Sequence, residues 1–221
     1  MVALVWDRIG EREYETGVSN GALYVVNDEG ITEKGVAWNG LVAVRETPDG
    51  AEETPMYADN IKYLSLTSAE NFSGTIEAFT YPDEFAECEG RTEISPGIYV
   101  GQQGRRSFGM AYVTKVGNDT MGTRYGEKLN VVYQAKVAPT ERAFETINND
   151  PTAIKFSWAF TTTPIPVEAE GIDPSAHIVI DSTDTPPEVY KAIKDAFFGT
   201  ADKEPTLLTI DEIIALGAAT V

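Results

Sequence analysis

Ile154-Lys155-Phe156-Ser157-Trp158-Ala159-Phe160 alternates apolar with polar or small residues, which sends Ile154, Phe156, Trp158 and Phe160 to one face of an extended chain. That period of two predicts a half-buried β-strand. Working outward, the same rhythm places Phe108, Met110 and Tyr112 opposite Ser107, Gly109 and Ala111. It also places Leu129, Val131, Tyr133 and Val137 opposite Asn130, Val132 and Lys136. Shorter strand-like runs lie at Leu23–Val26, Ala37–Val44, Ile61–Leu66 and Thr75–Tyr81. The pattern predicts a mainly β protein, an antiparallel β-sandwich or a partly closed barrel.

Two features interrupt the strands. Pro139 to Asn148 predicts a flanking α-helix, because Pro suits the first helical turn, Ala143 and Ile147 are four apart, and Asn148-Asn149-Asp150-Pro151 stops it. After Thr161-Thr162-Thr163-Pro164-Ile165-Pro166 the chain becomes polar and proline-bounded, which predicts a linker over 167–175 between a β domain (1–166) and a small α+β C-terminal extension (176–221). The extension reads as a strand at His177–Ile180 and two helices. The first opens at Thr185-Pro186-Pro187, carries Val189, Ile193, Ala196 and Phe197, and ends at Gly199; the second starts at Thr209 with Glu212 as a capping box. About 45 residues bury little surface alone, so the extension is expected to dock on the core or on a neighbouring copy.

Composition narrows the function. The 221 residues carry a net charge of −18. So acidic a chain is unsuited to gripping phosphate backbones or anionic membranes, since both need Lys and Arg. The N-terminus acquires Asp7 and Arg8 too soon for a secretory signal, and no apolar run reaches the roughly 20 residues that span a bilayer. Cys88 is the single cysteine, so no intramolecular disulfide forms.

The ingredients of catalysis are sparse. His177 is the only histidine and opens a strand, away from any nucleophile recognisable in sequence. Cys88 stands between Glu87 and Glu89, a setting that raises a thiol's pKa and leaves it inert. Asp83, Glu84, Glu87 and Glu89 form an acidic cluster without the spacing of a calcium loop. Gly101-Gln102-Gln103-Gly104-Arg105-Arg106-Ser107 lacks the lysine and following helix of a phosphate loop. Trp6, Trp38 and Trp158 on or near alternating strands read as packing groups before sugar platforms. The expectation is a protein that is not an enzyme and needs no metal or cofactor.

Charge and loops point to assembly instead. Glu46 to Glu93 is rich in acids, whereas Ile94 to Phe160 is mildly basic, with Arg105, Arg106 and Arg124 as candidate inter-subunit residues. If those blocks occupy opposite faces, head-to-tail contacts between copies are favoured; charge alone leaves this open. Arg45 to Pro55, between two predicted strands, is too long and polar for a tight turn. It is either a disordered excursion or an arm ordered by a partner.

Taken together, Trp38-Asn39-Gly40-Leu41, the run Pro55 to Leu64, and Thr75 to Phe85 resemble the major tail tube proteins of siphophages infecting Gram-positive bacteria. The resemblance continues through Gly101-Gln102-Gln103, Phe108-Gly109, Gly117-Asn118-Asp119 and Ala138-Pro139-Thr140-Glu141. It extends to Phe156-Ser157-Trp158, Thr161-Thr162-Thr163-Pro164 and His177 to Ser182, so it covers most of the chain in order. The resemblance implies a β-sandwich with a flanking helix, assembled as hexameric rings stacked into a hollow tube for DNA passage. It makes Arg45 to Ala58 an inter-subunit arm, with Arg45, Glu46, Asp49, Glu52, Glu53 and Tyr57 as its contact residues. It further implies other copies of the chain as partners, with tape measure, tail terminator and distal tail proteins, and transient non-specific double-stranded DNA. The expected location is the virion tail tube, after assembly in the host cytoplasm. Two other classes remain: a secreted β-sandwich module binding carbohydrate or a cell surface, and a hydrolase using two carboxylates.

Overall fold

The computed structural model describes residues 3–27, 29–30, 32–147 and 152–218. In chain order the strands are β1 (Glu13–Val25), β2 (Val36–Trp38), β3 (Leu41–Glu46), β4 (Asp49–Gly50), β5 (Glu53–Ala58), β6 (Ile61–Thr67), β7 (Glu70–Asn71) and β8 (Ser73–Ala78), after which comes the short helix α1 (Phe85–Cys88). Then follow β9 (Thr92–Ser95), β10 (Ile98–Val100), β11 (Phe108–Asn118), β12 (Gly122–Val137), β13 (Phe156–Thr162), β14 (His177–Asp181), α2 (Pro187–Phe198) and α3 (Ile210–Ala218).

One 8-stranded antiparallel sheet organises the body, in the order β2-β1-β11-β12-β13-β8-β3, with β14 also paired to β12. The sheet curls. Trp38 on β2 meets Trp158 on β13 with ring centroids 5.7 Å apart, and Leu41 at the start of β3 reaches over Gly21 of β1. The edge strands β2 and β3 do not pair, so the barrel stays open along one seam. Inside the curl lie Leu23, Val25, Ile76, Phe85, Phe108, Met110, Tyr112, Val137, Trp158 and Phe160, each buried. Phe85 on α1 plugs the space, with its ring edge-on to Phe108 and Trp158.

The opposite face of the sheet is covered by the C-terminal residues. Ala22, Tyr24, Ala111, Val113, Leu129, Val131 and Tyr133 pack against Val189, Tyr190, Ile193 and Phe197 of α2 and Ile210 and Ile213 of α3. Two tyrosines fasten this layer at their polar tips: Tyr24 donates to the Phe197 carbonyl, and Tyr133 to the Leu208 carbonyl at 3.0 Å. At Gly109 a Cβ would stand 2.4 Å from Leu207 Cδ2, so a larger residue would have to push that side chain aside. The predicted capping box forms at the start of α3, where Thr209 N donates to Glu212 at 2.7 Å and Glu212 N donates to Thr209 Oγ1 at 3.3 Å.

Three expectations need correction. The flanking helix predicted at 139–148 is absent: residues 138–147 have no regular structure, and Asn148 lies outside the described residues. Phe144 and Ile147 are exposed, so a helix there would have no apolar surface to lie on. Ala37–Val44 is two strands, broken at Asn39-Gly40 where Gly40 has φ 71°. Leu129, Val131, Tyr133 and Val137 do not share one face. Gln134 takes φ 46° in a bulge, after which parity flips, so Val137 enters the curl while the other three face the helices.

Candidate assembly interface

Strand register decides where the remaining segments leave the body. Leu41 and Phe156 both pair with Ala78, and Val137 pairs with Phe160; Phe108 pairs with both Ala135 and Val25. Among them Leu41, Ala78, Phe156, Val137, Phe108 and Val25 are the strand termini on one side of the sheet, in staggered rows, since Gly74 pairs with both Phe160 and Glu46. Glu46, paired with Gly74, lies toward the other end, and from there the chain runs out and back as β4–β7 and β5–β6 before returning at Ser73. The sequence reading of Arg45 to Pro55 as an excursion therefore resolves into the outgoing limb of a hairpin whose return limb includes Ile61 to Leu66. Its tip is the two-residue turn Asp59-Asn60, with φ 51° and 64°.

This arm is ordered by its own backbone, and its apolar side chains are uncovered among the described residues. Register places Thr54 opposite Leu66, Met56 opposite Leu64 and, past a bulge at Tyr63, Ala58 opposite Ile61 on one face, while Tyr57 belongs to the other. All of these apolar groups are exposed, Tyr57 and Tyr63 by 71% each. A second bare hairpin, β9–β10, sits past α1 at the opposite end of the sheet, with Ile94 at 66% and Ile98, Tyr99 and Val100 also exposed. Apolar groups clustered on isolated hairpins mark contact surfaces, because two strands alone bury too little to stand in water.

The arm residues chosen from sequence divide by position. Arg45 and Glu46 belong to the body: Arg45 pairs with Glu77 at 3.4 Å, and Glu46 accepts the Tyr112 hydroxyl at 2.6 Å. Asp49, Glu52, Glu53 and Tyr57 lie on the projecting part, where Glu53 pairs with Lys62 at 2.6 Å. The basic residues scatter. Arg106 pairs with Glu87 at 2.7 Å, Arg105 donates to the Val137 carbonyl at 2.8 Å, and Arg124 is exposed near the start of β12.

The root of the arm is clamped. His177 on β14 stacks on Phe72 with centroids 4.4 Å apart, and its Nε2, buried without a hydrogen bond, stands 3.7 Å from Glu46 Oε1. Burial holds this imidazole below its usual pKa, against the opposing pull of Glu46. Ser175 Oγ, the nearby hydroxyl, donates to the His177 carbonyl, so it is not presented to the ring as a nucleophile. Cys88 is fully buried and its thiol is pushed up to about 12, by burial first and then by Glu87.

The acidic cluster of the sequence is dispersed. Glu87 is taken by Arg106, and Glu89 turns inward, its side chain 8% exposed, to receive Arg142 and the Trp158 indole N–H. Arg91 stands 3.2 Å from the other Glu89 oxygen without hydrogen-bond alignment, and Arg142 also lies over the Tyr81 and Phe156 rings. Sequence reasoning missed this buried charge cluster, because its partners come from three separate segments. Among the described residues no group of three or more His, Cys, Asp or Glu is placed to hold a metal ion.

No protein-family model matches the chain, and no curated protein matches it in sequence.

Proposed function

We propose that this chain is a structural subunit that polymerises with copies of itself, head to tail, into stacked hexameric rings forming the hollow tail tube of a long-tailed phage. The observation that carries the reading is the arm, a self-paired hairpin bare on both faces at one end of a body that presents a second bare hairpin at the other. Unlike contact surfaces at two ends of one subunit favour rings and filaments over closed two-fold dimers. The net charge of −18 suits a conduit for DNA, since an acidic wall repels phosphates and does not retain them. The resemblance to major tail tube proteins supplies the hexameric ring and the DNA, and the curled antiparallel sheet is compatible with it.

The test follows from the arm's geometry. Ser68 N donates to the Glu52 carbonyl at 3.2 Å, so residues 53–67 can be replaced by Asn-Gly without straining the body. Concentrated wild-type protein should give hollow tubes or six-fold rings by negative-stain electron microscopy, while the shortened variant stays a folded monomer by light scattering. Tubes formed by the variant would refute the arm's role. A wild type that stays monomeric and binds glycans would favour the carbohydrate module.

A further inference from the structure

At the end of the sheet opposite the arm, a crevice of about 210 Å³ opens beside Trp158, and Arg91, Arg105 and Arg142 all line it. Glu89 is the only acid among the described residues that line it, and that carboxylate is already engaged by Arg142 and Trp158. In a chain with a net charge of −18, a crevice with three guanidiniums and one committed carboxylate is a local inversion of sign. Arg105 spends one N–H group on the Val137 carbonyl. A guanidinium carries five such donors in a planar fork suited to a carboxylate.

The arm has the opposite character. Asp49, Glu52, Glu53, Asp59 and Glu70 lie on it against Lys62 alone. Lys62 is paired with Glu53, which leaves Asp59 exposed at the tip. The limbs of β5–β6, of 6 and 7 residues, carry that tip roughly 20 Å beyond their own base at about 3.3 Å per residue.

We propose that the crevice lined by Arg91, Arg105 and Arg142 receives the Asp59 carboxylate from the arm tip of a second copy. This rests on the self-assembly proposed above and names the receiving site. The contact is between unlike ends, so it repeats from copy to copy. A volume of about 210 Å³ is ample for an aspartate side chain, and the guanidiniums give it direction.

Charge reversal tests it. Arg105→Glu and Asp59→Arg should each raise the concentration needed for tube growth by roughly tenfold or more. The double variant Arg105→Glu/Asp59→Arg, which restores opposite signs across the contact, should recover most of that loss. Asp59 is on an exposed turn, so its variant reports on assembly even if Arg105→Glu proves poorly folded by circular dichroism. Growth of Asp59→Arg at the wild-type concentration would overturn the pairing. A double variant no better than either single one, with both singles folded, would also overturn it. Wild-type protein that never assembles would remove the self-assembly reading, and this inference with it.

Discussion

The curled body and the projecting arm are both antiparallel strands with alternating side chains, yet they differ in what covers them. On β13, Trp158 and Phe160 are buried against the opposite half of the sheet; on β5 and β6, Met56, Tyr57, Ile61, Tyr63 and Leu66 are exposed. Backbone pairing and a two-residue turn suffice to shape a hairpin, while burial of side chains is what stabilises it. The body finds its cover within the chain. The arm has no such cover among the described residues.

The comparison breaks most readily in the core. Trp158→Ala should cost roughly 3–5 kcal/mol of folding stability, because the indole fills the curl between Trp38, Tyr81 and Phe85. Urea denaturation measures this, and a loss under about 1 kcal/mol would mean that the curl is not the principal core. Next comes Glu89→Gln, which leaves Arg142 without its buried anion and should cost roughly 3 kcal/mol by the same measurement. A neutral outcome would show that the charge cluster is open to water.

A smaller effect distinguishes the clamp at the arm's root. His177 is held below its usual value near 6.5, so the unfolded chain takes up its proton first as pH falls. Stability from this residue is complete above about pH 6.5 and is lost as pH falls toward the lower folded value. Comparison of urea midpoints at pH 7.5 and 5.5 should show a decline in the wild type that His177→Phe reduces while keeping the stack on Phe72. Glu77, held low first by its hydrogen bond to Lys155, stays charged through this window and does not contribute. Equal declines in both proteins would assign the slope elsewhere.

The smallest change in folding stability is expected on the arm. Met56→Ser, Leu64→Ser and Leu66→Ser combined should shift monomer stability by less than about 0.5 kcal/mol while raising the concentration for assembly. A large loss of monomer stability would mean that the arm packs on its own body.

Much of the body was legible because its strands keep strict alternation: Phe108, Met110 and Tyr112 enter the curl as read, with Trp158 and Phe160. The bulge at Gln134 was not, since nothing in a run of apolar residues marks which one will be displaced by its neighbours. Asn39-Gly40 carried a hairpin signal that the reading of Ala37–Val44 as one strand passed over. The helix expected at 139–148 rested on local spacing alone, whereas tertiary contacts decide so short a segment: Arg142 is drawn into the Glu89 cluster, and the apolar side chains face outward. The arm was located from its polarity, but its hairpin form depended on Asp59-Asn60 acting as a turn. Its proposed receiving crevice joins residues from β12, β13 and three connecting segments, and such convergence has no trace in linear spacing.

The pairing of β14 with β12 also bears on the timing of synthesis. A nascent chain that has emerged only as far as residue 175 has β1, β11 and β12 in place but leaves Tyr24, Val113, Leu129 and Val131 uncovered and the arm's root without His177. The residues after 175 therefore complete both the sheet and the base of the arm. If the chain assembles as proposed, incomplete chains would lack a finished surface with which to join.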